Sequence, residues 1–222
     1  MYSICIFDSD TKRIYMLRDR FGIKPLYYSS FKNTLIIASE IKSILKHPSF
    51  KFKVNYENFD EYLKFRYVTP PNTLIDKVKQ VIPGEIKIID SNLNISTAKE
   101  YWKHKVTTDD LNVDIYKLIS KSVQSQLVSD VEVGLQLSGG LDSSIITYIA
   151  QKLQKNKKLF KTFSINFRDK NFSEKKWSKL AANKTCSKNY SKIVDETYFF
   201  NNLSKATYHL DHPLMHPSSI GI

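Results

Sequence analysis

Apolar positions follow two different rhythms along the chain, and the change falls near its middle. Up to about residue 90 they come in short runs cut by polar turns, the pattern of strands. Ser3 to Phe7 and Arg13 to Leu17 flank Asp8-Ser9-Asp10-Thr11-Lys12. Leu26 to Ser29 and Leu35 to Ala38 flank Phe31-Lys32-Asn33. Two hairpins are therefore predicted, with Gly22 and Pro25 punctuating the link between them. A short helix is expected over Glu40 to Lys46, closed by His47-Pro48, and another over Tyr56 to Phe65, with Phe59, Tyr62 and Leu63 on one face. Pro70-Pro71 reads as a break, and Val78 to Ile89 as a hairpin turning at Pro83-Gly84.

Beyond about residue 115 the period becomes helical. Ile115, Leu118, Ile119, Ser122, Val123 and Gln126-Leu127 share one face. Strands are then expected over Val131 to Leu137, Leu159 to Phe167 and Tyr190 to Val194. They alternate with helices over Ser143 to Leu153, Glu174 to Lys184 and Thr197 to Tyr208. Such alternation implies right-handed crossovers and a parallel sheet, an α/β fold. A boundary is expected in the polar stretch Lys103 to Asp110, dividing the chain into domains 1–102 and 103–222.

Composition changes this picture little. Of 222 residues, 41% are hydrophobic and 25% charged, which is ordinary globular usage. No apolar run reaches the roughly 18 residues of a membrane span. The opening run has no basic leader and meets Asp8 early, which argues against a secretory signal. The two cysteines, Cys5 and Cys186, lie far apart without metal-ligand spacing. A disulfide scaffold is not supported, and a reducing cytoplasm is the expected location. Cys5, inside an apolar strand, is expected to be a small core residue. The formal charge of +12 could attract a polyanion. But the lysines are scattered and only five basic residues are arginine (Arg13, Arg18, Arg20, Arg66 and Arg168), which argues against a dedicated nucleic-acid face.

The chemistry-bearing segment is Gln136-Leu137-Ser138-Gly139-Gly140-Leu141-Asp142-Ser143-Ser144, where a strand gives way to a helix. Adjacent glycines let backbone approach a ligand, and N–H groups at a helix start attract phosphate. Ser138, Ser143 and Ser144 add hydroxyl donors. Asp142 would repel a phosphate unless a Mg²⁺ lay between them. The alternative is a Ser/Gly turn with Asp142 capping the helix. The string is neither a dinucleotide fingerprint nor a lysine-bearing P-loop.

Ser138 to Ser144 resembles the pyrophosphate loop of the ATP-pyrophosphatase superfamily. Gln126-Leu127-Val128-Ser129-Asp130-Val131 before it and Thr162-Phe163-Ser164-Ile165-Asn166-Phe167 after it are similar to the glutamine-hydrolysing asparagine synthetase branch. So are Arg18-Asp19-Arg20-Phe21-Gly22-Ile23-Lys24-Pro25-Leu26-Tyr27-Tyr28, Ala38-Ser39-Glu40-Ile41-Lys42 and Pro83-Gly84, which resemble the second half of that family's glutaminase domain. The resemblance implies the C-terminal part of an α+β, Ntn-hydrolase-like glutaminase domain. The first half of a parallel-sheet, adenine nucleotide alpha hydrolase-like domain follows it.

The resemblance also implies a reaction. The β-carboxylate of aspartate attacks the α-phosphorus of ATP, pyrophosphate leaves, and ammonia released from glutamine displaces AMP. Ser138, Gly139, Gly140, Ser143 and Ser144 would hold the pyrophosphate, and Asp142 its Mg²⁺. Gln136 and Ile165 match positions that contact adenosine; a plain buried strand residue is the other reading of Ile165. Gln136 stands where the family has an aliphatic residue.

Three departures qualify this. The family's glutaminase nucleophile is a cysteine leading the mature chain, and residue 2 here is Tyr2, so no catalytic residue is assigned. Asp211-His212-Pro213-Leu214-Met215-His216-Pro217-Ser218-Ser219 carries His212 and His216 where the family has acids, with prolines that break any metal-binding helix. The family's later acidic-glycine segment would lie beyond Ile222, leaving one wall of the nucleotide crevice and an exposed sheet edge. Two readings follow. One is an amidoligase whose remainder is supplied by the rest of a longer or split protein, or by a homodimer mate. The other is a fragment that binds ATP or pyrophosphate with Mg²⁺ but does not turn over.

Overall fold

A computed structural model of the chain describes residues 1–105, 113–154, 159–168, 173–214, 216 and 219–220. It falls into two compact units, Met1–Val106 with Lys205–Met215, and Thr107–Ser204 with His216–Ile222. Much of the stretch expected to hold the boundary, from residue 106 onward, lies outside the described residues.

The first unit stacks two antiparallel sheets and a helix. Strands β1 (Ser3–Asp8) and β2 (Arg13–Arg18) form the first hairpin, closed by the Asp8 carboxylate, which accepts from the N–H groups of Asp10 and Thr11 and from the Thr11 hydroxyl. β3 (Tyr27–Phe31) and β4 (Thr34–Ala38) form the second. Alternation splits the second sheet between two cores. Tyr28 packs with Met16, Leu26, Val81 and Ile89 between the sheets. Tyr27, Ile36 and Ala38 pack on Ile41 and Ile44 of helix α1 (Ile41–Leu45). Helix α2 (Phe59–Phe65) follows a 3₁₀ turn.

Val78 to Ile89 is not a hairpin. β5 (Lys79–Gln80) pairs with β3, whereas β6 (Glu85–Ile89) pairs with β2 and with β7 (Ile95–Glu100) in the other sheet. Pro83-Gly84 is the corner between them. Gly84 has φ +74°, and a Cβ there would stand 2.6 Å from the Trp102 carbonyl oxygen, so the corner needs glycine. Cys5 is also not a core residue: it is exposed on β1, the edge strand of the first sheet.

The second unit alternates as the sequence predicts. Helix α3 (Ile115–Gln126), capped by Asp114, is followed by β8 (Gly134–Gln136), α4 (Leu141–Leu153), β9 (Lys161–Phe167), α5 (Lys175–Lys184) and β10 (Lys188–Val194). The sheet is parallel, ordered β10-β9-β8. Val123, Ile149, Ala150 and Phe160 form its core, flanked by Val133 and Leu135. Helix α6 (Glu196–Leu210) runs on from β10, and its residues from Lys205 onward belong to the first unit. Among the described residues no helix is long and apolar enough to cross a membrane.

Candidate functional site

The loop Ser138–Gly140 leaves β8 at the carboxyl ends of the parallel strands, where open α/β sheets bind ligands. The last rung of the ladder is the Leu137 N–H to the Phe163 carbonyl, 2.8 Å. Gly139 then turns through φ +90°, and a Cβ on it would lie 2.3 Å from the carbonyl carbon of Trp177 and 2.4 Å from the Ser178 nitrogen. The backbone of α5 is thus the back wall of the loop, and only glycine fits against it.

Helix α4 begins at Leu141, two residues before the sequence-based start. Asp142 does not cap it. The N-cap is Gly140, which has no side chain to offer. The serines organise the turn instead. Ser138 Oγ accepts from the Gly140 N–H at 3.2 Å and lies 3.1 Å from Ser143 Oγ, which donates to the Gly140 carbonyl at 3.2 Å. The first intrahelical bond runs from Ser144 N–H to the Gly140 carbonyl, so the N–H groups of Leu141, Asp142 and Ser143 precede the helical ladder and carry its positive end. Ser143 and Ser144 are half-buried; Ser138, Gly140 and Asp142 are exposed. The Asp142 carboxylate makes no hydrogen bond or ion pair among the described residues.

Of the remaining candidates, Gln136 is exposed and sits opposite Phe163. Ile165, two residues further along β9, is half-buried on the same face. This face is the open one. Phe163 is 48% exposed and stacks on Tyr190, while Thr162, Ser164 and Asn166, alternating with it, are buried. The structure therefore gathers Ser138 to Ser144 into one turn and puts Gln136 and Ile165 on the sheet face that leads up to it.

Sequence reasoning missed the α5 wall and the buried polar row of β9. The second had a signal, the period-two repeat of Thr162, Ser164 and Asn166. Elsewhere, partial burial pushes the Cys5 thiol above its ordinary range, the opposite of an activated nucleophile. The ring nitrogen Nδ1 of His212 lies 2.8 Å from the Pro213 carbonyl oxygen, and Met215, Pro217 and Ser218 of that segment fall outside the described residues. Among the described residues no three His, Cys, Asp or Glu side chains converge as a metal cage.

Two families match the chain: one described as Glutamine amidotransferase domain over residues 1–102, the other as Asparagine synthase over residues 114–222. Three Bacillus subtilis (strain 168) proteins are similar to it. Asparagine synthetase [glutamine-hydrolyzing] 1 is 34% identical over 99% of this chain and 35% of its own length. Synthetase 2 is 33% identical over 69% of this chain and 23% of its own length, and synthetase 3 is 35% identical over 68% and 25%. The chain thus spans about a third or less of the length of these relatives. Two family matches in succession, and one relative aligned along nearly all of these residues, lead to one assignment: the chain belongs to the glutamine-hydrolysing asparagine synthetase family.

Proposed function

We propose that Ser138–Ser144 grips the pyrophosphate portion of ATP. On this reading the chain is the nucleotide-binding part of an amidoligase that makes asparagine from aspartate and glutamine-derived ammonia. The observation that carries the reading is the cluster of N–H groups of Leu141, Asp142 and Ser143, which precede the helical ladder beside the Asp142 carboxylate, itself without a partner among the described residues. Family membership supplies the reaction class.

The donor set fits Mg²⁺ in a limited way. One exposed carboxylate suits an ion that keeps most of its waters and takes its other oxygens from phosphates. Asp142 would hold it, and the bound ion would supply positive charge beside the leaving group. The chain's own residues then do two things. The backbone N–H groups and the hydroxyls of Ser138, Ser143 and Ser144 hold the pyrophosphate, and they stabilise the charge it gains as its bond to the α-phosphorus breaks. Gln136 and Ile165, on the adjoining sheet face, contact the adenosine. Aspartate's β-carboxylate forms the new bond to that phosphorus. Ammonia then adds to the acyl carbon and AMP departs. In this reading the first unit belongs to an Ntn-hydrolase-like glutaminase, and the second to an adenine nucleotide alpha hydrolase-like domain.

The test is ATP–pyrophosphate exchange with aspartate and ammonium, run on this chain alone and with the remainder of the protein. Exchange that needs aspartate and disappears in Asp142→Ala is the expected result. Mg·ATP binding without exchange in either preparation would reduce the loop to a binding element. No binding at all would remove the proposal.

A further inference from the structure

The Leu137 carbonyl, immediately before the loop, is held by a side chain. The Ser164 hydroxyl on β9 reaches it at 2.6 Å, and both groups are buried. Ser164 in turn accepts from Asn189 Nδ2 on β10 at 3.0 Å. A hydroxyl has one proton, so with the amide donating into its oxygen, that proton is left for the carbonyl. The relay therefore has a direction, from Asn189 through Ser164 to Leu137. It is kept at a cost: among the described residues Asn189 Oδ1 is buried without a hydrogen-bond partner, and so is Asn166 Oδ1 on the same layer.

A trans peptide is planar, and its C=O and N–H point in opposite directions. The Leu137–Ser138 bond is trans. Fixing the Leu137 carbonyl toward Ser164 therefore fixes the Ser138 N–H away from it, on the next residue along the same plane. Ser138 is bounded on its other side by Gly139, itself wedged against the backbone of α5. We infer that Ser164 and Asn189 are positioning residues: they aim the Ser138 amide, the first donor of the loop, at the anion that the loop binds. The inference rests on the anion-binding reading of the loop for its purpose, but the aiming itself is independent of any ligand.

Three variants test it. Ser164→Ala removes the donor. Asn189→Asp leaves an acceptor in place of the amine, so the Ser164 proton turns to the carboxylate and the Leu137 carbonyl loses it. Ser164→Thr keeps the hydroxyl on a strand that favours β-branched residues. The readouts are the Ser138 amide resonance in a ¹H–¹⁵N spectrum and the affinity for inorganic pyrophosphate with Mg²⁺. Ser164→Ala and Asn189→Asp should both displace the resonance and weaken binding by about tenfold, the scale of one hydrogen bond, and Ser164→Thr should restore both.

An unmoved Ser138 resonance in the first two variants, or a Thr variant no better than Ala, overturns the inference. If Ser164→Ala does not fold, Asn189→Asp, on the edge strand, decides the matter by itself. If the unaltered chain fails to bind pyrophosphate, the nucleotide reading falls. The resonance still decides the relay: displaced, the relay stands; unmoved, it does not.

Discussion

The loops at Arg18–Leu26 and Ser138–Ser144 both leave a strand through a glycine at positive φ, Gly22 at +64° and Gly139 at +90°. Their polar groups end in opposite states. In the first loop the Arg18 and Asp19 side chains close inward. Arg18, 6% exposed, donates to the carbonyls of Lys24, Val81 and Gly22. Asp19, 4% exposed, accepts from the N–H groups of Tyr2, Phe21, Ile23 and Lys24. In the second loop the serines close the turn, but among the described residues the carboxylate and the first helical N–H groups have no partner. The two strings are equally recognisable in the sequence. One is recognisable because its side chains hold the loop's own backbone, the other because its glycines and serines turn a strand into a helix whose first N–H groups stay open.

The two tryptophans let each region be read separately. Trp102 packs edge-on against Phe21 at 5.0 Å, and Trp177 backs the Gly139 turn. Gly139→Ala should have the largest effect. The new methyl group meets backbone rather than a side-chain tip, and the left-handed φ adds about 1 kcal/mol or more. Mg·pyrophosphate binding should fall beyond detection, with Trp177 emission altered and Trp102 unchanged. Binding kept at the unaltered level would mean that the turn is not held as described.

Asp19→Asn comes next. It places an amide amine among four N–H donors and leaves at least one of them buried without an acceptor. A loss of about 3 kcal/mol from the first unit is expected, since each orphan costs about 1–3 kcal/mol. It should appear as a lowered urea midpoint read by Trp102 in a Trp177→Phe background. Acid gives a smaller, graded version. Burial raises the Asp19 pKa, but the four backbone donors outweigh it and hold the group down from 3.8 to about 2. The folded value lies below the unfolded one. Stability from this group is therefore complete above the ordinary carboxylate range and is lost as pH falls from there toward 2. A urea midpoint at Trp102 that stays flat over that interval in the unaltered chain would contradict the four-donor cage.

Legibility in the sequence divides along the same line. Short apolar runs cut by polar turns place β1 to β4, and the change to helical spacing places α3 and the helices that alternate with the later strands. β7 was not legible. Ile95-Ser96-Thr97-Ala98-Lys99-Glu100 is an edge strand with little to bury, and its pairing with β6 is irregular between Ile86 and Lys87. Pro83-Gly84 misleads because the positive φ that makes a hairpin turn serves equally well at a corner between sheets. Cys5 misleads because an apolar strand is buried only if something covers it. At the candidate site the donors could be read from Ser138 to Ser144. The wall behind Gly139 could not, since contact with the α5 backbone has no side-chain signature. β9 reverses the usual inference outright, burying Thr162, Ser164 and Asn166 while Phe163 stays half exposed.

The sharpest form of the comparison makes one substitution in both loops. Asp142→Asn is the counterpart of Asp19→Asn and should have the smallest effect on folding. Asp142 is exposed, makes no hydrogen bond or ion pair among the described residues, and sits in the first turn of α4. Its only structural contribution is to the helix dipole, worth about 0.5 kcal/mol at such a position. The urea midpoint read at Trp177, in a Trp102→Phe background, should barely move. Pyrophosphate affinity measured with Mg²⁺ should fall by about tenfold or more, whereas affinity measured with chelator present should hold or rise, because a negative charge beside the anion has been removed. A carboxylate that serves only the fold would show the reverse: a lost midpoint and no dependence on the metal. Asp19 should behave that way and Asp142 should not. If both behave alike, the distinction between a loop that closes on itself and a loop that waits for a ligand is wrong.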